Sequence, residues 1–221
     1  MNLKSTFKTL TILCLLATLI TACKKDTSAP DDETTSTSNS YQPLTLNSNW
    51  KYAVDFPTKD TTVMTITSGT KTFNGKVYQS IQSKGKSGTS TGYYFNKDHF
   101  FNMRNSAAGT GDVIDFTYLN DTAKVNYTWT AKITDDGTLD GIPARMTGKI
   151  VEKGISKTIS GKTYSKVIHT TVNLQYALSG SSYDTYATYD FYVAQGIGII
   201  EIDSSTYGIT STVKLIGYDI K

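Results

Sequence analysis

Cysteine is nearly absent from this chain of 221 residues, which contains only Cys14 and Cys23. Both lie close to the N-terminus, so no pair remains to cross-link the rest of the chain. Disulfides stabilise many small exported domains that cannot build a sufficient hydrophobic core. The chain beyond Cys23 must therefore be stable without a disulfide, and it is long enough to bury a substantial core.

Residues suited to catalysis or metal binding are also scarce. The only histidines, His99 and His169, fall in different predicted strands, and no cysteine or carboxylate cluster lies near either one. We expect both at a surface or strand edge and neither as a metal ligand. A Gly-x-Ser-x-Gly pattern occurs at residues 88–92, but no helix is predicted to follow it, as a nucleophile elbow requires. We therefore predict no catalytic residue, no metal ligand and no cofactor, and we expect that the protein is not an enzyme.

Neither charge is in excess, since 22 basic residues stand against 19 acidic ones and two of the basic residues, Lys4 and Lys8, belong to the N-terminal segment. Nucleic-acid-binding domains usually carry a strong basic bias. We therefore expect no nucleic-acid partner. An amphipathic helical stretch of a dozen residues is likewise missing after Cys23, which excludes a helical domain.

The N-terminus has the pattern of an export signal. Lys4 and Lys8 precede an apolar run over residues 10–20, which is too short to cross a bilayer as a helix. The run leads into Leu-Ile-Thr-Ala-Cys at residues 19–23, which resembles the lipobox of bacterial lipoproteins. That resemblance implies cleavage before Cys23 and lipidation of its sulfur. An ordinary signal peptide that leaves Cys23 as a free thiol is the alternative.

These features divide the chain into a signal peptide (1–22), a lipidated cysteine with a disordered tether (23–40) and a single β domain (41–221). The tether, KKDTSAPDDETTSTSNS, has no large apolar side chain and cannot bury enough surface to fold. Its Lys-Lys-Asp start resembles a surface-export tag, although incidental charges in a linker explain it equally well. We predict a bacterial cell-envelope location, at the outer membrane, with the protein periplasmic or surface-exposed and in contact with the membrane through Cys23.

From residue 41 onward, apolar and polar residues alternate with a period of two, as in half-buried strands. The alternation predicts that Trp50 and Trp129 point inward. Glycine-containing turn sequences lie between the strands, and the acidic stretch 135–141 fits a hairpin loop better than a Ca²⁺ loop. We predict an all-β antiparallel meander that forms a barrel, a partly open barrel or two packed sheets. The predicted strands cover residues 50–56, 63–67, 77–82, 93–96, 100–104, 113–118, 124–133, 146–152, 164–176, 186–193, 197–202 and 212–220.

One sequence pattern occurs twice. Residues 71–78 (KTFNGKVY) align with residues 157–164 (KTISGKTY), and each copy follows a tryptophan-containing strand and precedes an aromatic one. We interpret this as two similar halves. The alternative is that β meanders reuse the same turn chemistry.

The start of the predicted domain, YQPL at residues 41–44 followed by NWKY at 49–52, resembles that of many small uncharacterised bacterial lipoproteins. In that family a Gly-Lys-x-Tyr hairpin follows, and the chain closes with a Gly-Ile-Gly strand and an apolar last strand. Residues 196–200 and 215–218 occupy those places. The shared motifs are structural, so the resemblance implies a fold and a location but no activity.

Tyrosine is abundant, with 15 residues. Four of them recur every third position near the end of the chain, so they cannot all share one face of a strand and some must be exposed. Tyrosines beside Ser and Thr suit a saccharide or an amphipathic ligand, although strand formers with surface hydroxyls would look the same. The predicted ligand-binding residues are Tyr93, Tyr94, Tyr183, Tyr186, Tyr189 and Tyr192.

Together these features predict a lipid-anchored, non-catalytic binding or interaction module of the cell envelope. Its expected partner is a saccharide, an apolar small molecule or another envelope protein. The alternative is a carrier or chaperone that holds an apolar ligand inside a partly open barrel. A hydrolase is the third and weakest hypothesis, since no catalytic signature supports it.

Overall fold

The computed structural model describes residues 39–55, 59–106, 113–178 and 182–221. Within these ranges the chain forms thirteen β-strands and no helix, and so no helix that could span a membrane. The predicted signal peptide (1–22), Cys23, the predicted tether up to residue 38 and the predicted strand end at Phe56 lie outside the described residues. The strands are β1 (Asn49–Val54), β2 (Asp60–Phe73), β3 (Lys76–Gly85), β4 (Gly88–Lys97), β5 (Phe100–Ser106), β6 (Val113–Asn120), β7 (Thr128–Lys132), β8 (Thr138–Leu139), β9 (Ile142–Ile159), β10 (Lys162–Tyr176), β11 (Asp184–Ala194), β12 (Gly198–Thr206) and β13 (Ile209–Asp219).

The strands form an antiparallel sheet in the order β6-β5-β4-β3-β2-β1-β13-β12-β11-β10-β9-β7, and β8 pairs only with β9. The sheet curls until its two edge strands, β6 and β7, approach each other. The result is a nearly closed barrel with one unsealed seam. The predicted antiparallel meander is confirmed, and of the three predicted architectures the partly open barrel corresponds to the one observed.

Individual contacts to β6 bridge the seam without a continuous ladder of hydrogen bonds. The Asp115 backbone N–H donates to the Ile133 carbonyl at 2.7 Å. On the inner side, the Thr170 hydroxyl of β10 donates to the Tyr118 carbonyl at 2.7 Å. These contacts satisfy backbone groups that an edge strand would otherwise leave unpaired.

The barrel interior is filled largely by aromatic and aliphatic side chains. Trp50 and Trp129 are 1% and 9% exposed, which confirms their predicted inward positions. The Trp50 indole N–H donates to the Ile197 carbonyl at 2.6 Å, and the Tyr52 hydroxyl donates to the Ile199 carbonyl at 2.9 Å. Burial raises the pKa of the Tyr52 hydroxyl well above its usual value, so the core stays uncharged.

Residues 39–44 pack across one end of the barrel. The Ser40 carbonyl accepts a hydrogen bond from the Gly196 N–H at 2.7 Å, and the Asn96 amide donates to the Gln42 carbonyl at the same distance. The side chain of Gln42 is buried, and its Oε1 accepts a hydrogen bond from the Tyr118 hydroxyl at 3.4 Å. This segment connects the end of β4 to the turn between β11 and β12.

Some predicted strand limits are wrong. Residues 124–127 continue the alternation of β7 but form a turn. In this turn the Tyr127 N–H donates to the Lys124 carbonyl at 3.0 Å, and Asn126 has a φ of 71°. A left-handed residue departs from the extended conformation of a strand. In the other direction, β2 continues to Phe73, well beyond the predicted limits 63–67. Residues 68–72 are polar or glycine on both faces, so no alternation indicated this extension.

The two copies of the repeated sequence form equivalent hairpins. Their turns contain Asn74-Gly75 (φ 48° and 76°) and Ser160-Gly161 (φ 51° and 80°). Two successive left-handed residues are the geometry of a type I′ turn. The hairpins are β2–β3 and β9–β10, and in each case the tryptophan-containing strand, β1 or β7, pairs with the first strand of the hairpin.

Candidate functional site

A cavity of about 300 Å³ lies inside the barrel, toward the end opposite residues 39–44. We call it the barrel cavity. Five strands, β5, β6, β11, β12 and β13, contribute to its wall, and most of the lining side chains are apolar. The lining residues are Met103, Asn105, Ile114, Phe116, Tyr189, Phe191, Ile202, Ser204 and Val213.

The cavity ends where large aromatic residues fill the barrel. The rings of Phe116 and Phe191 lie 5.5 Å apart, and Phe191 stacks on the buried ring of Tyr118 at the same separation. Beyond this layer the inward side chains are smaller, such as Val213 and Ser204, and are half-buried rather than buried. The inner wall therefore presents apolar surface that the protein's own side chains do not fill.

A second cavity, of about 470 Å³, lies where the outer face of β3 to β5 meets the edge strand β7. We call it the seam cavity. Its wall combines aromatic rings, two lysines and several neutral polar groups. The lining residues are Lys76, Phe95, Lys97, Asp98, Phe100, Asn102, Thr117, Tyr127, Trp129, Thr130 and Ala131.

A buried polar network supports the wall of the seam cavity. The Asn102 amide nitrogen donates to Asp115 Oδ1 at 2.9 Å and to Thr117 Oγ1 at 2.8 Å, while the Tyr78 hydroxyl donates to Asp115 Oδ2 at 2.6 Å. Burial and the hydrogen bond to Asp115 raise the pKa of the Tyr78 hydroxyl. The hydroxyl therefore remains a donor, and it holds the carboxylate in place.

Arg104 extends this network to the loop after β7. Its guanidinium donates to both carboxylate oxygens of Asp135, at 2.9 and 2.7 Å, and lies over the Phe73 ring. The hydrogen bond from Arg104 lowers the pKa of Asp135. The neighbouring Asp136 accepts from the Thr138 N–H and the Thr134 hydroxyl. Both carboxylates thus have protein partners, as the hairpin-loop interpretation implies.

The position of Trp129 depends on Gly148, its cross-strand partner on β9. A Cβ atom at Gly148 would lie 2.1 Å from the indole ring, closer than any side chain could come. The ring of Tyr127 lies 6.3 Å from that of Trp129, at 23° to it. Glycine at this position therefore allows the indole to lie flat against the sheet, where it forms one aromatic surface with the ring of Tyr127.

The predicted tyrosines do not form one site. Tyr94 is 2% exposed and belongs to the core, whereas Tyr93 lies on the other face of β4 against Phe73. On β11, Tyr189 faces inward and lines the barrel cavity, while Tyr192 stacks on His169 at the outer face. The prediction that the β11 tyrosines do not share a face is therefore confirmed. The remaining two, Tyr183 and Tyr186, contact Arg145 and Tyr176 respectively.

Neither histidine lines the barrel cavity or the seam cavity. His99 is 61% exposed, as predicted, and its Nδ1 lies 2.9 Å from Asp121. His169 is half-buried, with Nδ1 3.1 Å from Glu152 and Nε2 3.0 Å from Asp190. With both ring nitrogens against carboxylates, His169 has no nitrogen free to take a proton from a nucleophile. Within the described ranges, no three His, Cys, Asp or Glu residues are grouped closely enough to hold a metal ion.

The residues that line the two cavities could not be found from the sequence. Met103, Ile114 and Val213 follow the ordinary alternation of strands, and nothing local distinguishes an inward residue beside a cavity from one in a filled core. Tyr189 was among the predicted ligand-binding residues, but that prediction was based on the expected exposure of the tyrosines and not on a cavity. The cavities depend on which distant strands the barrel brings face to face.

Comparisons with known proteins reveal the fold alone. No protein-family model matches the chain, and no curated protein shows significant sequence similarity to it. A protein from Parabacteroides distasonis named "putative lipoprotein" superposes with a TM-score of 0.50 at 11% identity, over 82% of this chain and 99% of the other. A Bacteroides fragilis protein named "putative exported protein with YmcC-like fold" gives 0.50 at 9% identity, with the same coverage. The chain shares the fold of these two proteins.

Proposed function

We propose that the protein is a lipid-anchored protein of the bacterial cell envelope that binds an apolar small molecule in the barrel cavity. The observation that carries the proposal is the half-buried apolar wall of that cavity. Removing apolar surface from water is favourable, and a cavity of about 300 Å³ is at the lower end of the usual range for ligand sites. A ligand would complete the packing that Phe116 and Phe191 begin.

The envelope location is supported by the export signal and by the two proteins of the same fold, one named as a lipoprotein and one as an exported protein. The described chain begins at the barrel end opposite the cavity, where Ser40 bonds to Gly196. A tether attached at that end would place the barrel cavity at the far end of the barrel, away from the membrane anchor. This arrangement suits a binding protein held at a membrane.

The test uses an apolar fluorescent probe, N-phenyl-1-naphthylamine, and a matched pair of variants on β12. Ser204 lines the cavity, whereas Ser205 is exposed on the opposite face of the same strand. Ser204→Phe should fill the cavity and weaken probe binding by about tenfold or more, because the probe and the ring compete for the same apolar contacts. Ser205→Phe should leave binding unchanged.

Thermal unfolding of both variants would establish that they are folded. The proposal fails if the wild-type protein does not enhance probe fluorescence, or if both variants bind the probe as the wild-type protein does.

A further inference from the structure

We propose that the seam cavity is a separate binding site for an acidic saccharide residue, such as a uronic acid. The cavity lies outside the barrel, against the outer face of β4 and β5 and the edge strand β7, and shares no lining residue with the barrel cavity. This inference does not depend on the proposed apolar ligand. It rests on two unpaired polar atoms, the aromatic wall and the charge of the cavity rim.

The first unpaired atom is a hydrogen-bond acceptor, Oδ1 of Asn102. The side chain is 2% exposed, and its amide nitrogen uses both hydrogens, on Asp115 and Thr117. The amide cannot be turned over, since that would place its oxygen against the carboxylate of Asp115. Oδ1 therefore remains an acceptor without a hydrogen-bond donor among the described residues.

The second unpaired atom is a hydrogen-bond donor, the indole Nε1 of Trp129. The residue is 9% exposed, and the nitrogen has no acceptor within the part of the chain that the structure describes. Packing against Gly148 limits how far the ring can rotate to find one. Buried polar groups are normally paired, so an unpaired donor and an unpaired acceptor on two residues that line the same cavity favour a ligand that supplies both functions. A hydroxyl group can donate to Asn102 and accept from Trp129.

The aromatic wall favours a ring-shaped partner over a single water molecule. Tyr127 is 42% exposed and continues the surface of the Trp129 indole, while Phe95 and Phe100 line the same cavity. The C–H faces of a pyranose ring pack flat against such rings, and its hydroxyls lie around the edge. Ligand sites commonly combine apolar walls with a few placed polar groups in this way.

The charge of the rim favours an acidic sugar. Lys76 and Lys97 both line the cavity, and the one carboxylate in its lining belongs to Asp98. Neither lysine forms an ion pair with a carboxylate among the described residues. The Lys76 ammonium lies 5.3 Å from the centre of the Phe95 ring, at the cavity wall. A carboxylate on the ligand would pair with one or both ammonium groups.

The two tryptophans allow a direct test by ¹H–¹⁵N NMR, because the chain has only two indole N–H groups. Trp50 donates to the Ile197 carbonyl in the core and serves as an internal reference. Titration with digalacturonic acid should shift the Trp129 indole resonance saturably and leave that of Trp50 in place. The neutral galactobiose should bind about tenfold more weakly, because charge-assisted hydrogen bonds are roughly twice as strong as neutral ones.

Two tyrosine variants provide the specificity control. Tyr127→Ala removes an exposed ring from the cavity and should weaken binding at least about fivefold, as expected for truncation of a central aromatic contact. Tyr207→Ala removes a ring that is 75% exposed at the turn between β12 and β13, outside the cavity, and should leave binding unchanged. Tyr127→Ala should also leave N-phenyl-1-naphthylamine binding unaffected, which separates this proposal from that for the barrel cavity.

Three results would overturn the proposal. One is the absence of a saturable Trp129 shift at millimolar ligand, which would mean that water alone satisfies the two unpaired atoms. Another is equal affinity for the acidic and neutral disaccharides. The third is equal loss of binding in the Tyr127 and Tyr207 variants.

Discussion

At the scale of single residues, His169 is unusual because carboxylates face both of its ring nitrogens. Burial lowers the pKa of His169, but the hydrogen bonds to Asp190 and Glu152 raise it by more, so the net shift is upward. The hydrogen bond from His169 in turn lowers the pKa of Asp190. Stacking against Tyr192 at 4.4 Å further limits the orientation of the imidazole. His169 therefore links three strands, β9, β10 and β11, and its raised pKa favours the charged form of the imidazole.

This link makes the stability of the protein depend on pH. The folded state binds the His169 proton more tightly than the unfolded chain does, so the stabilisation is complete below the unfolded pKa of about 6.5 and is lost as the pH rises through the higher folded pKa. The melting temperature of His169→Gln should therefore fall furthest below that of the wild-type protein near about pH 5.5, and the difference should shrink toward about pH 8.5.

His99→Gln is the control for this measurement, because that side chain is largely exposed and solvent screens its pairing with Asp121. Its melting temperature should follow the wild-type protein across the pH range. A difference between the wild-type protein and His169→Gln that stays constant with pH would show that the carboxylate pairing does not stabilise the fold.

The alternation predicted the burial of individual residues only on the inner face of the sheet. Alternation placed Trp50 and Trp129 inward correctly. It could not show that Asn102 and Arg104 are buried, because these residues lie on the outer face of β5 and are covered by β7 and the loop after it. Arg104 and Asp135 are far apart in the sequence, so no local pattern could indicate that β7 and the loop after it cover the outer face of β5.

At the scale of secondary-structure elements, the seam determines how the barrel closes. β6 ends the sheet on one side and pairs with a neighbouring strand along only one edge. Its other edge meets Ile133 after β7 and side chains from the inner faces of β9 and β10. These contacts cover the free edge of β6. The barrel therefore does not need a continuous ladder of backbone hydrogen bonds at this seam.

The hydroxyl of Thr170 should be one of the main contributors to this closure. Thr170→Val keeps the shape of the side chain but leaves the Tyr118 carbonyl without its donor, which should lower the free energy of unfolding by about 1–3 kcal/mol. Chemical denaturation would measure the loss, and hydrogen exchange should show faster exchange of the β6 amides.

Thr210→Val is the matched control, since Thr210 lies exposed on β13 and its hydroxyl has no protein partner among the described residues. That variant should unfold like the wild-type protein. If Thr170→Val does so as well, the Thr170 contact does not stabilise the seam.

The elements and the antiparallel pairing of consecutive strands were largely predictable, and the closure of the barrel was not. Period-two alternation and glycine turns indicated most of the strands, including both type I′ hairpins at Asn74-Gly75 and Ser160-Gly161. The turn at Asn126 was missed because alternation continues through it. The seam between β6 and β7 was also missed, since it is set by the curl of the whole sheet rather than by any residue of either strand.

At the scale of the whole molecule, the sequence allowed a barrel, a partly open barrel or a sandwich, and only the strand order distinguishes them. The path from β6 to β7 passes through the pairing of β1 with β13, which joins the beginning of the domain to its end. That pairing also places residues 39–44 at one barrel end and the barrel cavity toward the other. The proposed anchor and the proposed ligand would thus occupy different parts of the molecule.

The anchor itself rests on Cys23, which lies outside the described residues, and it can be tested independently of the fold. Each buried CH₂ of an acyl chain contributes about 0.8 kcal/mol, so two or more chains on Cys23 would hold the protein at a membrane stably. In bacteria fed radioactive palmitate, Cys23→Ser should abolish labelling and remove the protein from the lipid-anchored membrane fraction. Cys14→Ser is the matched control, since Cys14 lies in the segment that signal cleavage removes, and it should retain the label. Undiminished labelling of Cys23→Ser would rule out this anchor, while leaving both cavity proposals open to their own tests.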